Sequence, residues 1–459
     1  MAAPTHFSYR ALGIIIHPQE HQILLVSKQG EWSLPQIEWE TTTYTHWADV
    51  TRLNREMSRY VGEELVTLRC LSDTYNGESN SFSRVYVMEL YPSAQPTLTP
   101  GRWIDANDLI NGSVLPPDHR PEIEQWLTNW NTSSSRTPSV PWYNPGWFAR
   151  ITTWIEQQVA QSGEQIVDVP EHLRVGERGY LLRAKTTAGM VYFKALPSFF
   201  AQEIPLLEYL ASAYPGLVPT LVAVDYETHS MLMGDFGGML LSQSTNLRDV
   251  EEALLRYAML QIDQVDHIQQ LRELGCPHIP TETLVQQIKP LLADPASLMM
   301  NAPGGLSEED VIQLRSFVPL VDTMCQQLAD AAVPATLEHG DFHDANIAIV
   351  DGHPLYFDWT DACIAHPFFS LYPFLLVNGD GSPDRASIRQ HLRDVYLGPW
   401  ERYASKVQLV EIFELAQKIA PLYLATLYSS LIISKMDAPW EMRHGVPNNL
   451  RALLLRICK

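Results

Sequence analysis

The sequence predicts an α+β protein, on three observations. Through most of residues 7–233, apolar residues alternate or run in short blocks between turn residues, which is the signature of strands. Beyond Asn246 they recur at three and four, the helical period. Between two helical stretches lies Leu337 to Asp361, L-E-H-G-D-F-H-D-A-N-I-A-I-V-D-G-H-P-L-Y-F-D-W-T-D. Its two apolar runs, Ile347–Val350 and Leu355–Phe357, flank the turn Asp351-Gly352-His353-Pro354 and predict a β-hairpin.

That hairpin sets the end of the loop His339–Asn346 beside the end of its second strand, so Asp341, Asn346 and Asp358 converge. Three oxygen-bearing side chains at one spot suit a hard cation such as Mg²⁺, which takes oxygen ligands and shares them with substrate phosphates. H-G-D-F-H-D-A-N stands where kinases carry H-R-D-L-x-x-x-N, and D-W-T-D where they carry D-F-G. In this form the stretch resembles the aminoglycoside phosphotransferase and choline kinase family of small-molecule kinases. The resemblance implies a protein-kinase-like two-lobed fold, with a β-rich N-lobe and a helical C-lobe. It also implies Asp341 as catalytic residue, Asn346 and Asp358 as Mg²⁺ ligands, and ATP as phosphoryl donor. The acceptor would be a hydroxyl of a small molecule: an amino sugar, an aminoglycoside, a choline-like compound or another alcohol.

Taken in order, the chain opens with a hairpin pattern, Tyr9–Ile16 and Gln22–Val26 around H-P-Q-E-H. G-E-W-S-L-P leads into a helical pattern over His46–Val61, with Trp47, Val50, Leu53, Met57 and Val61 on one face. Strands follow at Val66–Leu71 and Phe82–Leu90, and Arg102-Trp103-Ile104 precedes a short helix. This order resembles a Nudix domain. A Nudix hydrolase needs glutamates on that helix; aligning Gly62 with the motif's last glycine keeps Arg55 and Glu56. It sets Arg59 and Tyr60 where two metal-binding glutamates belong, and Thr42 and Ala48 at the earlier Gly and Glu. The resemblance therefore implies a Nudix-like fold without hydrolase chemistry.

Asn131–Trp147, rich in Ser, Thr and Pro, reads as a linker anchored by Trp142, Tyr143 and Trp147. The domains expected are thus 1–131 (Nudix-like), 132–147 (linker) and 148–459 (kinase-like), with an N-lobe over about 148–238 and a C-lobe over about 239–459. The N-lobe opens on a helix, Phe148–Gln161, followed by strands at Gln165–Val169, Gly179–Ala184 and Met190–Leu196. Lys194 ends V-Y-F-K on the last of these and resembles the kinase strand lysine that holds the α/β-phosphates. Val175–Gly179 occupies the place of a phosphate-covering loop but lacks G-x-G-x-x-G. Glu203 fits the partner of that lysine. Pro205 belongs in a first helical turn and so puts Glu203 at the helix entry, which leaves Glu208 as a competing partner.

Strands at Leu221–Tyr226 and Met231–Met233 run into G-D-F-G-G, which resembles the family's hinge. Backbone after Met233 would read adenine, and Asp235 is the hinge aspartate. Helices are expected at Leu247–Gly275, Thr281–Ala293, Ser307–Ala332, Arg385–Leu397, Ser405–Tyr428 and Val446–Cys458. Leu254, Tyr257, Ala258, Gln261, Ile262 and Val265 form one stripe that reads as core. H-P-F-F-S-L resembles the segment whose aspartate braces the catalytic loop in the family. Ser370 stands there instead, so the bracing must be weaker or different. His339 reads as a structural brace and His343 is undecided, a structural role being favoured; Asp361 reads as a loop-stabilising acceptor, with contact to a cationic or polyhydroxyl substrate as the alternative.

At 459 residues the chain exceeds one core. A net charge of −21 opposes binding to nucleic acid or anionic membranes. Five dispersed cysteines read as reduced thiols, and the absence of a leader pattern or spanning segment points to a cytoplasmic protein. Oligomeric state is not legible. The rival reading is a non-catalytic nucleotide-binding scaffold, supported by the degenerate phosphate loop and Ser370. Against it stands the full set Lys194, Asp341, Asn346 and Asp358.

Overall fold

Strand patterns in the first part of the chain are realised as one mixed sheet. The computed structural model describes residues 6–28, 30–91, 101–111, 115–131, 140–377 and 383–458. By internal contacts the chain divides into one unit of residues 1–197 and 222–233 and another of 198–221 and 234–459.

In the first unit the sheet comprises β1 (Phe7–Ile16), β2 (Gln22–Lys28), β3 (Glu31–Ser33), β4 (Gln36–Thr41), β5 (Leu65–Asn76), β6 (Ser81–Leu90) and β7 (Gly101–Asp105). Its order is β3-β2-β1-β6-β5, with β4 on β1 and β7 on β2. The β1–β6 pair is parallel, whereas β1 runs antiparallel to β2 and β4. Because side chains alternate across a strand, β1 serves two cores. Leu12 and Ile14 pack with Ile23, Leu25 and Val85 under Leu109 of α2 (Ala106–Asn111) and Ile123 and Leu127 of α3 (Arg120–Asn131). On the other face a Cβ at Gly13 would lie 3.3 Å from Met57 Cε of α1 (Thr51–Val61).

The helix expected from His46 starts at Thr51. The residues before it bond to a strand instead: Val50 N–H donates to Leu173 O (3.1 Å), Val175 N–H to Ala48 O (2.9 Å), and Asp49 makes an isolated bridge to Arg174. Their partner is β8 (Glu171–Gly176), which with β9 (Gly179–Lys185), β10 (Met190–Ala195), β11 (Leu221–Asp225) and β12 (Ser230–Gly234) forms a second sheet, ordered β11-β12-β10-β9-β8. No strand forms at Gln165–Val169, where Ile166 makes one isolated bridge to Thr186. Pro170 has no N–H for a ladder, so pairing begins just after it. Gly176 and Gly179 close a two-residue turn, a tight hairpin end with no longer phosphate-covering loop.

Residues 132–139 of the expected linker lie outside the described residues. The remainder is tied down before α4 (Trp147–Gln161). Trp142, Tyr143 and Trp147 are buried, Trp142 Nε1 donates to Gly176 O (3.0 Å), and Arg69 lies 4.4 Å over the Tyr143 ring.

The second unit is helical around two small sheets. α5 (Glu203–Ala213) starts it, with Pro205 in the first turn. The pair β14 (Thr336–Glu338) and β17 (Cys363–Ala365) lies antiparallel. β13 (Met239–Leu240) pairs with β15 (Ile347–Val350), which pairs with β16 (His353–Tyr356). The stretch expected as one helix from Leu247 to Gly275 breaks at a 3₁₀ turn, Val265–His267, into α6 (Leu247–Gln264) and α7 (Ile268–Glu273). α8 (Leu284–Leu291), α9 (Glu308–Ala329), α10 (Leu371–Val377), α11 (Pro383–Leu397), α12 (Lys406–Thr426) and α13 (Gly445–Ile457) complete it. Capping boxes at Ser307/Asp310 and Ser405/Gln408 set the starts of α9 and α12. Among the described residues no helix is long and apolar enough to cross a membrane.

Candidate active site

The D-G turn does what that dipeptide is suited to do. Asp351 and Gly352 take φ of 51° and 81°, and Val350 faces His353 across a two-residue hairpin. The hairpin fixes the end of β16, where Phe357 N–H donates to Asn346 O (3.1 Å) and Phe357 O accepts from His339 Nε2 (3.0 Å). Phe357 is thereby held between two ends of the loop, and Asp358 follows it with a left-handed φ of 63°.

Asn346 donates its side-chain N–H to Asp341 O (3.0 Å) and, more distantly, to Asp341 Oδ2 (3.4 Å). With the amide nitrogen committed, Oδ1 is the atom left to face a cation. Asp341 is half-buried, with His343 Nε2 3.6 Å from its Oδ2. That contact raises the His343 pKa, with the charges of Asp344 and Asp358 acting in the same direction. Burial pushes His339 down to about 4, against the pull of Asp341 and Asp358, so its ring is neutral at physiological pH. Gly340 is required where it stands. Its φ is 80°, and a Cβ there would sit 2.1 Å from the backbone oxygen of Asp361. Asp361 itself is buried.

A second chain of contacts leads from Asp358. The Thr360 hydroxyl lies 2.5 Å from Asp358 Oδ1 and 3.0 Å from Glu203 Oε2, and Gln202 Nε2 donates to Thr360 O (3.0 Å). Glu203 is buried at the entry of α5, whereas Glu208 is exposed on the same helix. Among the described residues no three His, Cys, Asp or Glu side chains gather to hold a metal ion. The donors here are one amide oxygen and one carboxylate. That set suits Mg²⁺, which keeps several waters and completes its shell with phosphate oxygens.

Behind the loop is a polar network absent from the sequence reading. Glu338, Ser370, Tyr257 and Gln261 are all buried. The Glu338 carboxyl accepts from the Ser370 hydroxyl, from Gln261 Nε2 (3.3 Å) and from Gly340 N–H. Tyr257 and Gln261 lie on the α6 stripe read as core. Two polar residues within an apolar stripe, and an acid ending the strand T-L-E just before H-G-D, were the signals available. Thr360 was also missed as a bridge.

Lys194 sits on β10 and Met233 on β12, in the first unit; Asp235, Glu203, Asp341, Asn346 and Asp358 belong to the second. Asp235 Oδ1 accepts from Gly237 N–H (3.0 Å), and a Cβ at Gly238 would lie 2.2 Å from Ile349 O. The glycines of G-D-F-G-G thus let this segment run against the catalytic hairpin, where Phe236 stacks on Phe357.

A model of the phosphotransferase enzyme family matches residues 173–405, just over half of the chain, including every site residue above. The chain belongs to this phosphotransferase enzyme family. It is a small-molecule kinase, and its mixed α+β build, sheet-rich up to Gly234 and helical beyond, is that of a protein-kinase-like fold. The family match begins at residue 173 and leaves the Nudix resemblance of residues 1–131 where the sequence put it. Among solved structures, this phosphotransferase is similar to an ethanolamine kinase of Plasmodium vivax (12% identity, 73% of this chain and 94% of that one, TM-score 0.47). It is also similar to a choline kinase of Cryptosporidium parvum (10%, 68% and 95%, 0.47). A third is the GDP and kanamycin complex of APH(2")-IIia (15%, 67% and 98%, 0.44). No curated protein matches the chain.

Proposed function

We propose that this phosphotransferase moves the γ-phosphoryl group of ATP to a hydroxyl of a small, polar alcohol. The observation that carries the proposal is the joint tethering of Asp341, Asn346 and Asp358 on one loop and hairpin, with Asn346 bonded to Asp341 and Phe357 bonded to both Asn346 and His339. Asp341 orients the acceptor hydroxyl and takes its proton late. Asn346 and Asp358 hold Mg²⁺, which when bound neutralises charge on the phosphoryl oxygens. Lys194 holds the α/β-phosphates, and Glu203 is its partner in preference to Glu208, because Glu203 is the buried one and is joined through Thr360 to Asp358. Backbone after Met233, with Asp235 ordering the following turn, reads the adenine edge.

The acceptor class is an amino sugar, aminoglycoside, choline-like or other alcohol; two of the named neighbours are an ethanolamine and a choline kinase, and the third is a complex with GDP and kanamycin. Residues 1–131 are proposed as a Nudix-like domain without hydrolase activity. The support is a mixed sheet with α1 on one face and α2 and α3 on the other.

The test is a phosphotransfer screen with MgATP over choline, ethanolamine, amino sugars and aminoglycosides, beside melts with MgATP and with ATP plus EDTA. Transfer to one class and a metal-dependent rise in melting temperature are expected. Ligand at a hundredfold excess over Kd adds about 2.7 kcal/mol of stability, easily seen in a melt. Nucleotide binding with no transfer to any acceptor or to water would favour the scaffold reading.

A further inference from the structure

The acid that precedes the catalytic loop plays no part in the proposed chemistry, yet the loop hangs from it. Glu338 ends β14 and is 1% exposed. Its carboxyl accepts from Gly340 N–H, the Ser370 hydroxyl and Gln261 Nε2. The Ser370 hydroxyl also lies 2.8 Å from the Tyr257 hydroxyl, which accepts the N–H of His339 (3.0 Å). Gln261 is fixed in turn by the Tyr396 hydroxyl, 2.5 Å from its Oε1. The two backbone amides immediately before Asp341 therefore both end on this one network.

Burying a carboxyl without a cation is costly. Here burial pushes the group up to about 8 even though three donors pull it down. A fold that needed only packing at this position would be served by an apolar side chain, since a fully satisfied polar network mainly fixes geometry. Ser370 is the other half of the arrangement. It stands where a resembling kinase would place an aspartate, and its hydroxyl meets the Glu338 carboxyl, so the acid is supplied from the strand instead of from the helix side.

We propose that Glu338 is the positioning residue of the catalytic loop, holding the amides of residues 339 and 340 so that Asp341 faces the reacting hydroxyl. The proposal rests on Asp341 being the catalytic group. Displacing a reacting group by about 1 Å can cost on the order of 10²-fold in rate, while nucleotide contacts elsewhere are untouched.

The test compares the full-length wild type with Glu338→Gln, with Glu338→Ala, and with Glu338→Ala combined with Ser370→Asp, using MgATP and either water or the alcohol found in the screen. Both single variants should lose about 10- to 100-fold in kcat with KM for MgATP little changed. The double variant, which returns a carboxylate from the helix side, should regain most of the loss. Glu338→Gln keeps the shape but turns an NH2 donor towards groups that themselves donate, the Ser370 hydroxyl, Gln261 Nε2 and Gly340 N–H, so it disturbs the network without opening a cavity. An active wild type whose kcat ignores Glu338→Gln would overturn the proposal. So would a double variant that regains its melting temperature without its kcat. A wild type with no turnover at all would sink the parent reading, and this one with it.

Discussion

Helix α1 and the hairpin around Asp341 both present acids in patterns suited to phosphate chemistry, but what holds those acids differs. On α1, Glu56 Oε1 accepts from Arg55 Nε and Arg59 Nη1, each at 3.1 Å, and the bond from Arg55 leads in lowering its pKa. Its charge is already answered by arginines, in the position where a metal-binding helix would offer further carboxylates. In the hairpin the acids are held by an amide (Asn346), a hydroxyl (Thr360) and a histidine (His343). Groups of that kind orient a carboxylate through directed hydrogen bonds. The comparison separates an acid that builds a site from one that decorates a surface.

The comparison can be broken first at Gly340. Gly340→Ala meets both a positive φ and a backbone oxygen 2.1 Å from the new Cβ. It should cost about 2–4 kcal/mol of stability and abolish transfer, read by melting and turnover. A variant as stable and active as wild type would mean that the close approach of the loop to Asp361 is not maintained.

A smaller effect is expected at Thr360. Thr360→Val removes the hydroxyl between Asp358 and Glu203, and outer partners of metal ligands commonly matter by about 10- to 100-fold in metal affinity or activity. The Mg²⁺ dependence of turnover should shift to higher concentration, and Thr360→Ser should restore it. Equal Mg²⁺ curves for all three proteins would detach α5 from the cation site.

Glu56→Gln should have the least effect. Exposed ion pairs contribute little, so melting temperature and kinase turnover should match wild type. No hydrolysis of nucleoside diphosphate derivatives should be present to lose. Metal-dependent hydrolysis that disappears in Glu56→Gln would return α1 to the class of the hairpin.

The hairpin was legible because its information is local. D-G demands a tight turn, a β-branched run precedes it and an apolar, aromatic one follows, and the spacing of Asp341, Asn346 and Asp358 follows from that geometry. The place of Glu203 at the entry of α5 followed from Pro205, which sits in the first turn as its missing N–H requires, but its burial in preference to Glu208 did not. What could not be read was long-range. Residues 48–50 carry helical periodicity but pair with β8, a tertiary partner more than a hundred residues away. Tyr257 and Gln261 fit an apolar stripe by spacing alone, and only the fold shows that the stripe faces Glu338 and Ser370. The departure at Ser370 was visible, but not its compensation on a strand 32 residues earlier.

The most direct measurement of the central claim is Asp341→Asn, with turnover and MgATP binding titrated on the same preparation. The amide keeps the shape and one hydrogen bond but cannot take a proton, and loss of a positioned base commonly costs on the order of 10²–10⁴ in rate. A loss of that size with MgATP affinity nearly unchanged is the predicted result. Turnover that survives Asp341→Asn intact would contradict the account.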